Sequence, residues 1–590
     1  MPSTPRHLIL SSDEKTWKFD RPVLFLGSWC QIFDRKHIWE DMDAILASPY
    51  GVELKNKDID HKKARLLEKK LFLVLCNQLN QQHNLKCDTR FWQIVFGHWL
   101  RRYVDTMLNR VKTLEQCLKK YNVNGLTSYT NDDYVLATID SYSSIFASTD
   151  SRWNHALYIR ILNLLGKKIQ VEHIVDSRVS KFIFNPSNSL KRIFFKWGYK
   201  KIEKLFSYMQ KDSDAFIISS YLSKFEEVKL QIALRQIPQI HSSSELNLSS
   251  EYDSVLRKKL SIRVKNRSND SLEYVLTAMV FELLPICYLE GFSELSEHVE
   301  KQSWPKNPKF IFTSNNFNID ETFKLWAAIK TQSSSKYFIG QHGNNYGTHR
   351  FLANPSVEEM IADKFITWGW RDGLPQHAPA FIFKNASKSK FYLDLKKKDA
   401  LLLVENMSPH QIETWDQSAE HEIYMFDQIN FIKKLKIYIL KSLIIRLHPS
   451  YIYNKPYEQI FWGKLSKDIK IDAGSSSFVS LTNRSRLVVF SYDSTGLLEN
   501  LSRNIPTLAF WQNGLSHLRD SARPFYQLLV DVEIIHPTHE SIAKKVNEVW
   551  GDVDTWWNQD KLQNARKIFC NRYARIEKNR IFEIKKILLG

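Results

Sequence analysis

The chain has 590 residues, 43% of them hydrophobic, 25% charged and 13% aromatic, with 83 Lys and Arg against 64 Asp and Glu, a formal charge of +19 and a pI near 9.3. That length exceeds what one hydrophobic core serves, so two or more domains are expected, and the composition excludes extended disorder. Six widely separated cysteines without a CxxC pair exclude a disulfide scaffold and a structural zinc site, and no apolar run is long enough to cross a bilayer.

The expectation is therefore a protein of the reducing cytoplasm, free or peripheral on the inner face of the plasma membrane. Its basic residues are scattered as pairs such as Lys62-Lys63, Arg101-Arg102 and Lys258-Lys259, with Lys396-Lys397-Lys398 the longest lysine run. A positive chain favours anionic partners: acidic membrane, phosphorylated substrates or nucleic acid. Net charge is the sole support for nucleic acid, which is not expected as a partner.

In chain order, Arg21 to Cys30 reads as a strand ending at Gly27 in a small-residue turn, as at the start of a Rossmann-like domain. From Lys62 the spacing is helical through Ala64, Leu67, Leu71, Val74 and Leu75, and a second helical run spans Phe91 to Val111. His98 lies within that run, either packed in the core or lining an acceptor site. Residues 121–265 read as mostly helical, basic and aromatic, with short strand-like pieces such as Ala215 to Ser219 and a polar loop at His241 to Ser250.

From Lys309 the pattern alternates. KFIFTSN is a strand, Glu321 to Thr331 a helix, and Lys336 to Gly340 a strand that runs into Gln341-His342-Gly343-Asn344-Asn345-Tyr346-Gly347. A helix near Glu358 to Ala362 and a strand from Lys364 to Trp368 complete a βαβαβ half. Asn385 to Lys398 reads as an interdomain linker, and Ala400 to Val404 begins a second alternation. In it, Ser442 to Leu447 is a buried strand delivering His448-Pro449, and Leu487 to Ser491 is a strand opening through Tyr492-Asp493-Ser494-Thr495-Gly496 onto a Leu-rich helix. Pro506 to Phe510 is the next strand, and from Glu540 the chain is helical and basic.

The expected fold class is α/β, with two Rossmann-like domains facing across a cleft. Residues 1–390 would form the acceptor domain, with a largely helical insertion at about 60–265, and residues 391–590 the nucleotide-donor domain with C-terminal helices.

Three loops carry the chemistry. In QHGNNYG, Gly340, Gly343 and Gly347 permit tight turns, and His342 is the residue type suited to take a proton from a hydroxyl near neutral pH, or else it shapes the loop. In RLHP, Arg446 and His448 are suited to neutralise a phosphate, with a structural strand-end histidine as the alternative. In SYDSTG, Ser494 and Thr495 stand where helix N–H groups attract an anion, with a simple N-cap as the alternative. GxxxxGK[ST], GxSxG and HExxH are absent, and the DxD triplets at Asp41 to Asp43, Asp212 to Asp214 and Asp552 to Asp554 follow no clear strand. Neither a metal nor a cofactor is expected.

QHG in a glycine-rich loop, HP after a strand and DST opening a Leu-Glu helix, in that order, resemble the motif set of GT-B glycosyltransferases with cytidine-nucleotide donors. Sialyltransferases, Kdo transferases and CDP-glycerol glycerophosphotransferases share parts of it. With FLGSWC, FWxxxxGxWL and ADKFITWGW added, nearly the whole chain most resembles a bacterial family of surface-carbohydrate transferases. The resemblance implies that His342 is the catalytic base and that His448, Ser494 and Thr495 hold the donor phosphate, with Glu499 placed to reach a ribose. Gln341 and Asn344 stand where the teichoic-acid enzymes usually carry Trp and Thr.

The function so implied is transfer of a sugar from a nucleotide-activated donor, cytidine favoured, to a surface polysaccharide or lipopolysaccharide acceptor that is carbohydrate or lipid-linked. Two alternatives stand beside it: a polyol-phosphate transferase using the same loops, and a non-catalytic basic protein binding nucleic acid or acidic membrane.

Overall fold

Strand-forming runs of apolar residues build three separate sheets in the computed structural model, and every ladder between named strands is parallel. The structure describes the chain except residues 1–3, 33–34, 52–53, 131–132, 176–179, 185–202, 204–207, 243–245, 265–267, 353–354, 386–397, 406–420, 449–461, 464–468, 475 and 512–513. Most of the linker expected at Asn385 to Lys398, and with it the boundary at 390, lies outside the described residues.

The first sheet contains β1 (Arg6–Ile9), β2 (Val23–Phe25), β3 (Ala44–Leu46), β4 (Val123–Tyr129) and β5 (Gln170–Ile174), in the order β3-β2-β1-β4-β5. The second contains β6 (Phe216–Ile218), β7 (Phe310–Thr313), β8 (Lys336–Gly340), β9 (Lys364–Thr367) and β10 (His377–Pro379), in the order β10-β9-β8-β7-β6. The third contains β11 (Ala400–Val404), β12 (Leu443–Arg446), β13 (Lys470–Asp472), β14 (Ser485–Phe490), β15 (Thr507–Phe510) and β16 (Ile535–His536), in the order β13-β12-β11-β14-β15-β16. The first and third sheets thus reverse direction in the Rossmann manner, between β1 and β4 and between β11 and β14. Such a reversal opens a crevice at the carboxyl ends of the two strands.

The α/β class with parallel sheets is as expected; among the described residues there are three sheets, and the segment at about 60–265 is largely helical but also carries strands. Its helices α1 (Leu54–His83) and α2 (Thr89–Lys120) form the crossover from β3 to β4, and β4, β5 and β6 follow within the same segment. β6 falls within the strand-like piece read at Ala215 to Ser219, whereas β4 and β5 are hard to read locally. β5 is a half-solvated edge strand of sequence QVEHI, and β6 has three residues. An edge strand need not be apolar, because solvent takes one side of it.

α2 starts where Asp88 accepts the Phe91 N–H, and it is buried along much of its length, from Phe91 and Trp92 to Cys117. It packs against α5 (Glu321–Gln332) of the second sheet, so one helix serves both halves of the N-terminal region; α3 (Ser151–Leu164) and α4 (Lys224–Ala233) precede α5. Beside that contact Lys324 is fully buried. Its ammonium donates to Glu321 Oε1 at 2.8 Å, Ser141 Oγ at 2.9 Å and the Tyr288 hydroxyl at 2.8 Å. A short helix, α6 (Val357–Ile361), lies between β8 and β9; α7 (Thr495–Ser502) lies between β14 and β15, and α8 (Arg523–Asp531) between β15 and β16.

The C-terminal helices α9 (Asp560–Tyr573) and α10 (Arg580–Leu589) return to the second sheet. The Arg575 N–H donates to Trp368 O and the Ile382 N–H to Arg575 O, both at 2.9 Å. Ile584 and Leu588 of α10 enter the same cluster as Phe310, Phe338 and Ile366. No helix among the described residues is long and apolar enough to cross a membrane.

Lys324→Met removes the cation paired with the buried Glu321 carboxylate while keeping side-chain bulk. A loss of about 3–5 kcal/mol is expected in denaturant unfolding, with Lys324→Met/Glu321→Leu less destabilised than Lys324→Met alone.

Candidate functional site

The QHGNNYG loop leaves β8 at its carboxyl end, and Gln341 pins it. Its side-chain oxygen accepts the Trp368 N–H at 2.9 Å and the Trp370 indole N–H at 2.8 Å, while its amide nitrogen donates to Gly343 O at 2.8 Å. At Gly347 the backbone has φ +70° directly under the Trp370 ring, and a Cβ there would lie 2.4 Å from ring carbon. Only glycine meets both conditions. Gly340 is packed against Ser314 and Phe383, and a Cβ at Gly343 would lie 3.3 Å from Thr495 Oγ1 of the third sheet.

His342 is half-buried among Tyr221, Phe317 and Tyr346. Its Nδ1 is 3.2 Å from the Tyr346 hydroxyl, which donates to Glu358 Oε1 at 2.8 Å. A hydroxyl has one proton. With that proton on the carboxylate, the Tyr346 oxygen is left to accept Nδ1–H, so the lone pair of His342 resides on Nε2. Burial lowers the His342 pKa to about 4, against the pull of the Glu358 charge, and the imidazole is neutral at ordinary pH.

Glu358 is set by the start of α6. Ser356 and Glu359 form a capping box, with Ser356 Oγ accepting the Glu359 N–H and Glu359 accepting the Ser356 N–H. Glu359 therefore faces back to its cap and to His377, and Glu358 is free to point the other way, towards Tyr346 and α2. There His98 Nε2 stands 3.5 Å from Glu358 Oε2, its ring stacked on Phe317. Burial pushes the Glu358 pKa up, but the His98 side chain, His342 and the backbone at the helix start outweigh it, leaving it well below the usual carboxylate range. His98 is thus buried at the outer end of this chain of contacts.

The loop docks on the SYDSTG turn after β14. The Asn344 N–H donates to Thr495 Oγ1 at 2.9 Å, and the Asn344 side-chain amide donates to Asp493 Oδ1 at 2.6 Å. Asp493 also accepts the Tyr526 hydroxyl at 2.9 Å and lies 3.2 Å from His517 Nε2. Ser494 is the N-cap of α7, accepting the Leu497 N–H at 3.2 Å. One hydroxyl thus caps the helix and the other receives the opposing loop. The turn stands at the β11/β14 reversal, where the first-turn N–H groups of α7 make the point attractive to an anion.

Arg446 and Asp472 form an ion pair between β12 and β13, and Asp472 also accepts the Gly474 N–H at 3.0 Å. His448, two residues beyond β12, is half-buried, and burial, then the charge of Arg446, lowers its pKa. Pro449 lies outside the described residues. Glu499 is half-buried in α7. The structure therefore brings His342 and its loop against Thr495 and Ser494, with Arg446 and His448 at the end of a strand two positions from β14. Sequence reasoning missed Tyr346, Glu358, Asn344 and Asp493 as site residues. Tyr346 and Asn344 lay in the quoted motif, whereas Glu358 was detectable only through its capping box.

The sequence matches the model of the LIC12162 family transferases over residues 6–588, and the chain belongs to that family. No curated protein matches it. Among solved structures, similar ones include the spinosyn rhamnosyltransferase SpnG complexed with thymidine diphosphate, at 10% identity and a TM-score of 0.27 over 50% of this chain and 85% of that one. Another is WaaG, a glycosyltransferase involved in lipopolysaccharide biosynthesis, at 11% identity and a TM-score of 0.28 over 64% of this chain and 98% of that one.

Asp493→Ala removes a carboxylate that anchors Asn344 and Tyr526. Hydrogen bonds to a charged group are worth about 1.5–3 kcal/mol each. Stability in a denaturant titration is expected to fall by about that much or more, and Asp493→Asn, which can keep part of the contacts, is expected to fall less.

Proposed function

We propose that this transferase is a GT-B-type glycosyltransferase that moves a sugar from a nucleotide-activated donor, a cytidine nucleotide, to a surface polysaccharide or lipopolysaccharide acceptor, without a metal ion. The observation that carries the reading is the contact of two loops. A neutral, half-buried histidine with its lone pair on Nε2 belongs to the loop whose next-but-one residue, Asn344, bonds Thr495 at the start of a helix suited to phosphate.

In this reading the acceptor hydroxyl gives its proton to His342 Nε2 as its oxygen attacks the anomeric carbon. The bond from that carbon to the donor phosphate breaks, and its electron pair stays on the phosphate oxygen. Charge then develops at two places. The imidazolium is met by Tyr346 and the Glu358 carboxylate. The departing phosphate is met by His448, Ser494, Thr495 and the N–H groups of α7, with Arg446 and Glu499 beside them, so that both charges are stabilised more in the transition state than in the ground state. Gly340, Gly343 and Gly347 shape the loop that carries the base.

His342→Ala is expected to lower turnover about 10²–10⁴-fold while leaving nucleotide binding nearly intact, and His448→Ala to weaken both. A thermal-shift panel of CMP, CDP, UMP, UDP, GDP and ADP reads the binding half, because a ligand selective for the native state raises Tm. Cytidine-selective stabilisation that is lost in His448→Ala supports the donor assignment. Full turnover by His342→Ala overturns the base assignment, and a polyol-phosphate polymer as product overturns the sugar.

The pH profile is a separate check. A histidine whose folded pKa is depressed from 6.5 to about 4 is the neutral base down to the lower value, so the acid limb of kcat/KM should fall near pH 4 rather than 6.5. The same group contributes stability that is lost as pH falls from about 6.5 through about 4, since the unfolded chain takes up the proton first. Tyr346→Phe removes the acceptor of Nδ1–H, so kcat is expected to drop with little change in the nucleotide thermal shift.

A further inference from the structure

α4 is inverted for a surface helix. Its two carboxylates are buried: Glu226 accepts from Arg580 of α10 at 2.9 Å, and Glu227 accepts from the Ser220 hydroxyl at 2.6 Å. Its apolar residues divide: Leu230 is buried in the core, whereas Phe225 is 67%, Val228 37% and Ile232 60% exposed. Their spacing of three and four places them on one side of the helix. An ordinary surface helix shows the opposite pattern.

The neighbouring helix repeats the feature. α10 packs against α4, and while Ile584 and Leu588 enter the core, Phe582 is 69% and Leu589 56% exposed. The exposed residues of both helices include Lys224, Lys229 and Lys586 and, among the described residues, no carboxylate. Lys229 Nζ sits 4.2 Å from the Phe225 ring centroid, a cation over an exposed aromatic face.

We propose that α4 and α10 together form a docking face for an anionic phospholipid bilayer. Aromatic and aliphatic side chains with lysines at their edge, and no carboxylate, fit the boundary between acyl chains and negative headgroups. The net charge of +19 adds long-range attraction to the same partner. A second copy docking through the same face would set lysines against lysines, because the exposed residues of these two helices include, among the described residues, no carboxylate.

The face also adjoins the base. Tyr221, just before the Ser223 cap of α4, has φ +63°, a conformation costly for an aromatic residue, and its ring centroid is 6.1 Å from that of His342. A bilayer resting on α4 therefore lies beside the loop that carries His342. On the glycosyltransferase reading above, this would present a lipid-linked acceptor to the base. The binding face itself does not depend on that reading, because vesicle binding requires no turnover.

The test is co-sedimentation of the full chain with phosphatidylglycerol vesicles and with phosphatidylcholine vesicles. The wild type is expected to bind the former selectively. Phe225→Ser/Ile232→Ser/Phe582→Ser should weaken binding roughly tenfold or more, since each exposed side chain would bury apolar area in the bilayer. Lys229→Glu/Lys586→Glu, a change of surface charge alone, should weaken it as well and steepen neither the thermal melt nor its nucleotide shift. Absence of binding by the wild type, or undiminished binding by both variants, overturns the proposal. A concentration-dependent dimer abolished by the serine variant, with no vesicle binding, assigns the face to a second copy instead and also overturns it.

Discussion

The backbone hydrogen bond from Asn344 to Thr495, with the companion bond from the Asn344 amide to Asp493, is the contact on which the site depends. It joins a loop at the end of one parallel sheet to a turn at the end of another, and it consumes groups that each loop would otherwise offer to solvent. Asp493 is held from its own side by Tyr526, so the joint has little freedom to slide. The chain adds further ties around it. The Arg519 N–H donates to Thr348 O at 2.8 Å, and the Arg350 N–H donates to His517 O at 2.9 Å. Two sheets thereby share one junction, and the candidate base stands two residues from it.

Burial of His342 works in two directions. It strips the imidazole of water, which costs free energy in the charged form and lowers the pKa. It also strengthens the hydrogen bond to Tyr346 and that of Tyr346 to Glu358, because the surroundings are of low dielectric. A neutral histidine that has a ready partner for positive charge is well placed to accept a proton briefly. Glu358 supplies that partner without titrating itself near neutral pH, since its own pKa is held low. The arrangement reaches from β8 through α6 to His98 on α2, so the crossover helix of the first sheet that packs against α5 also backs the candidate base.

The Lys324 cluster and the Arg446–Asp472 pair show a different use of charge. Lys324 is buried with three hydrogen-bonding neighbours, Glu321, Ser141 and Tyr288, and it specifies how α5 meets the elements around it. Breaking such a cluster leaves a charge without compensation, whereas its net contribution to stability when intact is modest. Arg446 is held by Asp472 on the adjacent strand, which keeps its guanidinium at the carboxyl end of β12 next to His448.

Much of the candidate site was legible locally. β8 and β11 have the bounds that their apolar runs imply, and the turn after β14 opens onto a helix where Ser494 caps it. These features depend on a few adjacent residues: strand runs on burial of both faces, and helix starts on a side-chain oxygen near free N–H groups. Most strands of the first sheet and the residues Tyr346, Glu358, Asn344 and Asp493 were not legible in the same way. β5 is a half-solvated strand that needs no apolar pattern, and β3 has only three residues. By itself the sequence determined the α/β class, the strand–loop–helix units and the chemical groups at their ends, because those follow from short-range sterics and hydrogen bonding. Which loop faces which, the direction of the His342 lone pair and the outward turn of Phe225 were decided by tertiary structure alone, because each depends on groups more than a hundred residues apart or on an adjoining helix that packs there.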